Sequence, residues 1–309
     1  MQFLALMIDG FRESRDRKLF WVMLLMSLSV ASAMFCVAFK PNGVDILFGT
    51  WQIETDVFTI GDEVRADIVA TVLVEWIADT ILGWIGVIIA IIATAGFFPT
   101  LMERGVVEVL LSKPMPRWGL FLAKYLGSMV FLLVHATIFV GSTFLVAGFR
   151  WGVWVPGYLL TIPLVVLLFS YLYCVSVLVA VYTRNAMAAV LLTLVAWTMF
   201  ATVQSVDDMF VFMPEWKEYR TAYQASQTAR WIVPKTQDIP ILAKRWAKAA
   251  AAVELMPINE EVGHKMRDRA EAVERARMAI HPALTIGSSL LFEAFVVMLA
   301  MWKFSRKDY

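Results

Sequence analysis

The chain is 309 residues long, 60% hydrophobic and only 17% charged, with a formal net charge of +1. A soluble protein of this size carries about a quarter charged residues and under half apolar ones, so a water-soluble globular protein is excluded, and the near-zero net charge supplies no field for nucleic acid. The two cysteines, Cys36 and Cys174, lie inside apolar runs, which argues against a disulfide framework or a metal cage.

The first uncharged run is Leu19 to Phe39, long enough to cross a hydrocarbon core, which takes about 20 residues. Ala31-Ser32-Ala33 resembles a signal-peptidase site. The run stays apolar beyond it, and the preceding segment is long and mixed in charge, so an uncleaved helix is expected. Residues 40–79 read as a polar connection. Within it Ile68, Val69, Val72, Leu73, Trp76 and Ile77 fall at helical spacing, which predicts an amphipathic helix on the membrane surface or leading into the next span.

The second span is read as Thr80 to Phe98, with Gly83 and Gly86 available for close helix approach. A charged stretch, Met102 to Arg117, precedes a third span from Leu120 to Phe149. A fourth follows from about Val155 to Tyr182, with a kink expected at Pro163. The short Thr183-Arg184-Asn185 turn leads into a fifth span, Ala186 to Val203. The last span covers Pro282 to Trp302. Arg150 with Trp151, and Trp302 with Lys303, are read as markers of the two membrane interfaces.

Placing the N-terminus, the 99–119 loop, the 183–185 turn and the C-terminus on one side gathers about eleven Lys and Arg there, so both termini are expected to be cytoplasmic. Residues 204–281 then lie outside the cytoplasm, with a helical pattern. Asp238 caps a helix from about Pro240, with Ile241, Trp246, Ala250 and Val253 on one face. Asn259 caps a second, braced by Glu261/Lys265, Arg267/Glu271 and Glu271/Arg275 at four-residue spacing. The expected architecture is an all-α integral membrane protein with six transmembrane helices, both ends inside, and a helical extracytoplasmic insert between the fifth and sixth spans. Its regions are 1–203, 204–281 and 282–309.

The segment from Glu103 to Arg117 sits in the longest internal cytoplasmic loop of this layout. Val106, Val107, Leu110 and Leu111 give a short helix an apolar face, and Glu103, Arg104 and Glu108 keep its other side wet. Pro114 and Pro116 end it. Such a helix suits docking of a soluble motor subunit, and equally suits resting on lipid headgroups. Inside the membrane, Glu293 is a carboxylate costing at least ~2.5 kcal/mol to insert unless it is protonated, paired or wet. His135, midway along the third span, is the expected partner. Either the two meet, or each lines a translocation path, or each is satisfied separately by neighbouring helices.

The order Glu103, Gly105, Glu108, Leu110, Leu111, Pro114, Arg117, Lys124, Gly127 resembles the signature of type-2 ABC exporter permeases. Residues Phe11 to Phe20 are similar to that family's opening amphipathic helix, and Tyr182 to Ala186 to its turn between the fourth and fifth spans. Val106 stands where many members have Thr, and residues 204–281 exceed the usual short re-entrant hairpin. The resemblance implies a permease paired with a second permease, identical or not. Each copy would seat a separate nucleotide-binding subunit on a coupling helix formed by Glu103, Arg104, Gly105, Val107, Glu108, Leu110 and Leu111, with Pro114 and Arg117 closing the motif.

ATP and Mg would belong to that other subunit. This chain has no G-x-x-x-x-G-K-[ST] loop, no H-E-x-x-H and no serine elbow. No catalytic residue, metal site or cofactor is expected in it. A multi-pass inner-membrane protein with the bilayer as surroundings follows, the lack of a targeting extension being in keeping with a bacterial one. The competing reading is a membrane scaffold or assembly factor whose 204–281 region binds an extracytoplasmic partner. A scaffold has no need of the coupling segment.

Overall fold

The computed structural model describes residues 18–40, 43–54, 68–103, 116–251, 272–273, 275–277 and 279–306. Within these, six helices are long and apolar enough to cross a membrane. They are α1 (Lys18–Cys36), α2 (Ile68–Leu101), α3 (Arg117–Arg150), α4 (Pro156–Thr183), α5 (Ala186–Phe212) and α8 (Pro282–Ser305). Two shorter helices between α5 and α8, α6 (Arg220–Ile232) and α7 (Asp238–Ala251), belong to the insert. The six spans match the sequence reading in number and order, because an uncharged run of this length has nowhere else to satisfy its backbone. Helix α1 runs unbroken through Ala31-Ser32-Ala33.

Helix α4 is the hub. Its Phe169, Tyr171, Leu172, Tyr173 and Cys174 are fully buried. Tyr173 stacks on Phe169 at 5.0 Å and on Tyr125 of α3 at 5.4 Å. Its hydroxyl pairs with Ser128 Oγ at 2.7 Å, which satisfies a phenol that hydrocarbon could not. The expected kink at Pro163 does not arise. Residues Pro156–Leu160 form a 3-10 turn, the α-helix begins at Thr161, and Pro163 lies in its first turn, where a missing N–H leaves no intrahelical bond unmade.

The connection after α1 is not merely a polar loop. Val37–Lys40, Gly43–Ile46 and Trp51–Glu54 form a small antiparallel sheet, β1-β2-β3. Val37 pairs with Ile46 and Gly43 with Glu54. Trp151 is buried and donates its indole N–H to Val37 O at 2.8 Å, and Arg150 Nε donates to Phe35 O at 3.2 Å. Trp151 fastens the sheet, and Arg150 the end of α1, to the end of α3, rather than simply marking an interface.

Helix α2 begins at Ile68, well before Thr80, so the amphipathic stretch leads straight into the span. Val72–Gly86 is π-helical, a form otherwise seen mostly as single turns. Gly83 and Gly86 serve this wide helix rather than a neighbour. A Cβ on Gly83 would stand 3.3 Å from Ala78 O, five residues back, and one on Gly86 would stand 3.2 Å from Leu82 Cδ1. Thr80 Oγ1 donates to Glu75 O at 3.1 Å, again across five residues.

The turn between α4 and α5 places Arg184 in the left-handed region (φ 54°) and uses Asn185 as a helix cap. Asn185 Oδ1 accepts from Met187 N at 2.8 Å and Ala188 N at 3.3 Å. Asn185→Ala is expected to lower stability by about 1 kcal/mol through loss of this cap. Equilibrium unfolding in mixed detergent micelles measures it, with Asn185→Asp or Asn185→Ser expected to retain most of the wild-type stability.

Candidate functional site

Three constellations carry the polar chemistry. The first is the charged end of the bundle, where the chain leaves after α2 and returns at α3. Phe97, Phe98 and Leu101 bury the end of α2, and the chain turns out at the exposed Glu103. It re-enters with Pro116 capping α3. Arg117 Nη1 donates to Ser305 O at 3.1 Å, tying the start of α3 to the last turn of α8. Lys124 lies over the Phe97 ring at 5.4 Å and Lys303 over Tyr182 at 5.2 Å. Arg104, Gly105, Val107, Glu108, Leu110, Leu111 and Pro114 lie outside the described residues, as do the opening helix before Lys18 and the helix expected from Asn259.

The second constellation is within the spans. Glu293 of α8 does not meet His135. Its Oε1 accepts from the Tyr125 hydroxyl of α3 at 2.8 Å and its Oε2 from Ser170 Oγ of α4 at 2.8 Å. His135 is buried against Phe20 and Phe131, ring centroids 4.6 and 4.5 Å away. Its Nδ1 lies 2.9 Å from Phe131 O and its Nε2 3.3 Å from Phe20 O. His135 thus joins α3 to α1, whereas Glu293 joins α8 to α3 and α4. Tyrosines and serines are too common in apolar helices for the sequence to single out Tyr125 and Ser170.

The third is the root of the insert, which sequence reasoning missed. Helix α5 runs on past Val203 to Phe212 and carries Gln204, Asp207 and Asp208. Arg230 of α6 forms an ion pair with Asp207 and lies 3.5 Å from Asp238 Oδ2. Arg277 grips Asp208 through two nitrogens, reaches Gln237 Oε1 at 3.0 Å, and lies 3.4 Å from Asp238 Oδ1 without hydrogen-bond alignment. Gln227 Nε2 donates to Asp207 Oδ1 at 2.6 Å. Lys235 is only 1% exposed. Its Nζ donates to Ser288 Oγ of α8 at 2.5 Å and sits over the Trp231 ring at 4.6 Å. Burial pushes the Lys235 ammonium below the usual lysine range, and burial pushes the Asp238 carboxyl up, against the opposing pull of Arg277 and Arg230.

The phase of α7 also differs from expectation. It starts at Asp238, whose side chain is engaged in the ion network, and it buries Ile239, Leu242 and Ala243 with Trp246 partly covered. Ile241 is only half-buried, the side chain of Ala250 is not described, and Val253 lies outside the described residues.

Among the described residues no group of three or more His, Cys, Asp or Glu is arranged to hold a metal ion. Comparison with curated proteins finds no match. The family model described as ABC-2 family transporter protein matches residues 4–309. Six apolar spans and a match over nearly the full length lead to one conclusion: the chain belongs to the ABC-2 transporter family, as a membrane-spanning permease that is not itself an enzyme.

Proposed function

We propose that this permease couples ATP hydrolysis in a separate nucleotide-binding subunit to export of a substrate across the inner (plasma) membrane. Both termini and the 103–117 loop face the cytoplasm in this reading, and the 204–281 insert faces the opposite side. The gathering of Lys18, Arg117, Arg184, Lys303 and Arg306 at one end of the bundle supports that orientation. Helices α1, α5 and α8 leave most of their apolar surface uncovered by the chain itself, as Leu191, Leu192, Val195 and Met199 of α5 illustrate. That surface suits lipid and a second permease copy.

The observation that carries the proposal is the clip between Arg117 and Ser305 O at the re-entry of the loop. A motor subunit seated on Glu103 to Leu111 moves the start of α3. The clip passes that movement to α8, and α8 reaches the hub helix through the Glu293–Ser170 hydrogen bond. The bundle then has a mechanical route from an ATP-driven closure to a rearranged core. Of the two intramembrane residues, Glu293 is the one proposed to line or gate the translocation path, while His135, enclosed by Phe20 and Phe131, joins α3 to α1.

Affinity purification of the tagged chain in mild detergent, with an ATPase assay, tests this directly. Wild type is expected to bring down a nucleotide-binding subunit and its activity, and the Glu103→Lys/Glu108→Lys variant is expected to lose both while retaining its thermal stability. A wild-type preparation that stays intact yet carries no ATPase would move the function to partner binding by the 204–281 region.

A further inference from the structure

Helices α1 and α3 end side by side at the face of the bundle opposite Lys18 and Arg117, and a guanidinium there is only half used. Arg150, the last residue of α3, donates through Nε to Phe35 O at 3.2 Å. Its guanidinium carbon lies 5.8 Å from the centre of the Phe35 ring and 5.1 Å from that of Phe48. These contacts hold the group in place without engaging its two terminal amino groups. Among the described residues no carboxylate and no second acceptor is set against them.

The turn that supplies Phe48 is built against ordinary preference. Leu47 and Phe48, between β2 and β3, have φ of 53° and 58°, a left-handed backbone in which the Cβ of an L-residue crowds the following carbonyl. Leu47 N donates to Cys36 O at 2.8 Å and Thr50 Oγ1 donates to Leu47 O at 2.9 Å, so the end of α1 holds the turn in this shape. In it both side chains are exposed, and Phe35, Trp51 and Phe149 at the same end are exposed as well. Backbone strain of this kind persists where the surroundings over-determine it, and it gathers at binding sites.

Depth identifies what meets this surface. Helix α1 has 19 residues, about 28 Å at about 1.5 Å per residue, against a hydrocarbon core of about 30 Å. With Lys18 at one boundary, Phe35 and Cys36 come to the other. The turn tied to Cys36 and the arginine tied to Phe35 therefore stand where acyl chains give way to headgroups. Exposed leucine and phenylalanine suit the chains. A guanidinium with spare N–H groups suits the headgroup phosphate, because its planar fork matches two oxygens at once. A free anion in water would gain nothing from the apolar turn.

We propose that Arg150 binds the phosphate of a bilayer phospholipid whose acyl chains lie along Leu47, Phe48 and Phe149. The bound lipid fixes the sheet and the ends of α1 and α3 at headgroup level. The site is at the far end of the bundle from Glu103 and Arg117, and its occupancy is measured without any ATPase.

The test is photolabelling of the full chain in dodecyl maltoside, a phosphate-free medium, titrated with phosphatidylglycerol that carries a diazirine on one acyl chain. The diacylglycerol with the same diazirine is the phosphate-free control. Saturable phospholipid labelling is expected on peptides covering 35–54 and 147–155. In Arg150→Gln the half-saturating phospholipid concentration is expected to rise about tenfold or more, as loss of a hydrogen bond to a charged group implies, with diacylglycerol labelling unchanged. Arg150→Lys keeps the charge without the fork and is expected to fall between. Phe48→Asn removes one ring from beside the guanidinium, and asparagine accepts the left-handed backbone. It is expected to weaken labelling by both probes, and it decides the matter should Arg150→Gln fail to fold. Equal phospholipid half-saturation in wild type and Arg150→Gln, or in wild type and Phe48→Asn, would overturn the proposal. Displacement of the phospholipid probe by inorganic phosphate would overturn it too, since the site would then be one for a free anion.

Discussion

Replacing Arg230 by methionine is expected to loosen the insert by about 3–5 kcal/mol, the cost of stranding buried charge by removing one partner. The root of the insert holds Asp207, Asp208 and Asp238 against Arg230, Arg277 and Lys235, all but Asp208 nearly inaccessible on the side chain or as a whole residue. Arg230 is the partner that Asp207 faces most directly, and it also approaches Asp238. Methionine conserves much of the packing volume, so the loss is electrostatic. Asp207 would keep only the neutral donors Gln227 and Ser226.

The readout is the rate at which protease cuts within 204–281 under conditions where opening equilibrates. That rate should rise about a hundredfold to several-thousandfold, at 1.4 kcal/mol per factor of ten. The Asp207→Leu/Arg230→Met double variant should recover most of the loss, because exchanging a whole buried pair for apolar groups is near neutral. The Glu75–Lys244 pair provides the contrast. Both side chains are partly exposed, Lys244 by 26% and Glu75 by 35%, so Lys244→Met should cost no more than about 1 kcal/mol. A cutting rate in Arg230→Met within a few-fold of wild type would show that water or relaxation compensates the stranded carboxylates.

The same network explains where the sequence was legible and where it was not. Spans announce themselves by a local property, a run without charge, and α1, α3, α4 and α8 begin and end within a few residues of that run. Helix α5 does not, because Gln204, Asp207 and Asp208 look like the start of a polar loop. Their neutralising partners come from Arg230 and Arg277, 23 and 69 residues further along the chain. The stretch before Thr80 left two outcomes open, on the membrane surface or leading into the span, because Glu75 and Asp79 interrupt an otherwise apolar run whose Val69, Leu73, Ile77 and Ala78 are core. The sheet is three strands of four residues each, too short for an alternating pattern to stand out. The turn between β2 and β3 puts Leu47 and Phe48 at positive φ, where neither residue signals a turn, with Gly49 beside them as its one glycine. The family was legible as a resemblance, because the residues that carry it are ordered along the chain, and the family model matches residues 4–309. Of the segment from Glu103 to Arg117, the described residues include only Glu103 at one end and Pro116 and Arg117 at the other.

Glu293 gives the second large effect, and the choice of substitution separates structure from transport. Glu293→Leu is expected to cost about 1–3 kcal/mol, because it strands the Tyr125 hydroxyl, left with only a 3.4 Å contact to Ser170 O, while Ser170 falls back on Leu167 O at 2.8 Å. Glu293→Gln can keep one oxygen as acceptor for Tyr125 or Ser170 and conserves shape, so its unfolding midpoint should stay within about 1 kcal/mol of wild type. If the residue works only as a fastener of α8 to α3 and α4, the glutamine variant transports and stimulates ATPase as wild type does. A gating role predicts otherwise: the fold survives in Glu293→Gln while coupled transport falls at least tenfold, since glutamine neither carries the charge nor exchanges a proton with the path. His135→Gln serves as the control on α1, where loss should follow stability alone, because the His135 ring is enclosed by Phe20 and Phe131 and reaches no residue of α8. Measured side by side in proteoliposomes with the motor subunit present, the two variants decide whether the carboxylate at the crossing of three helices is a joint or a gate.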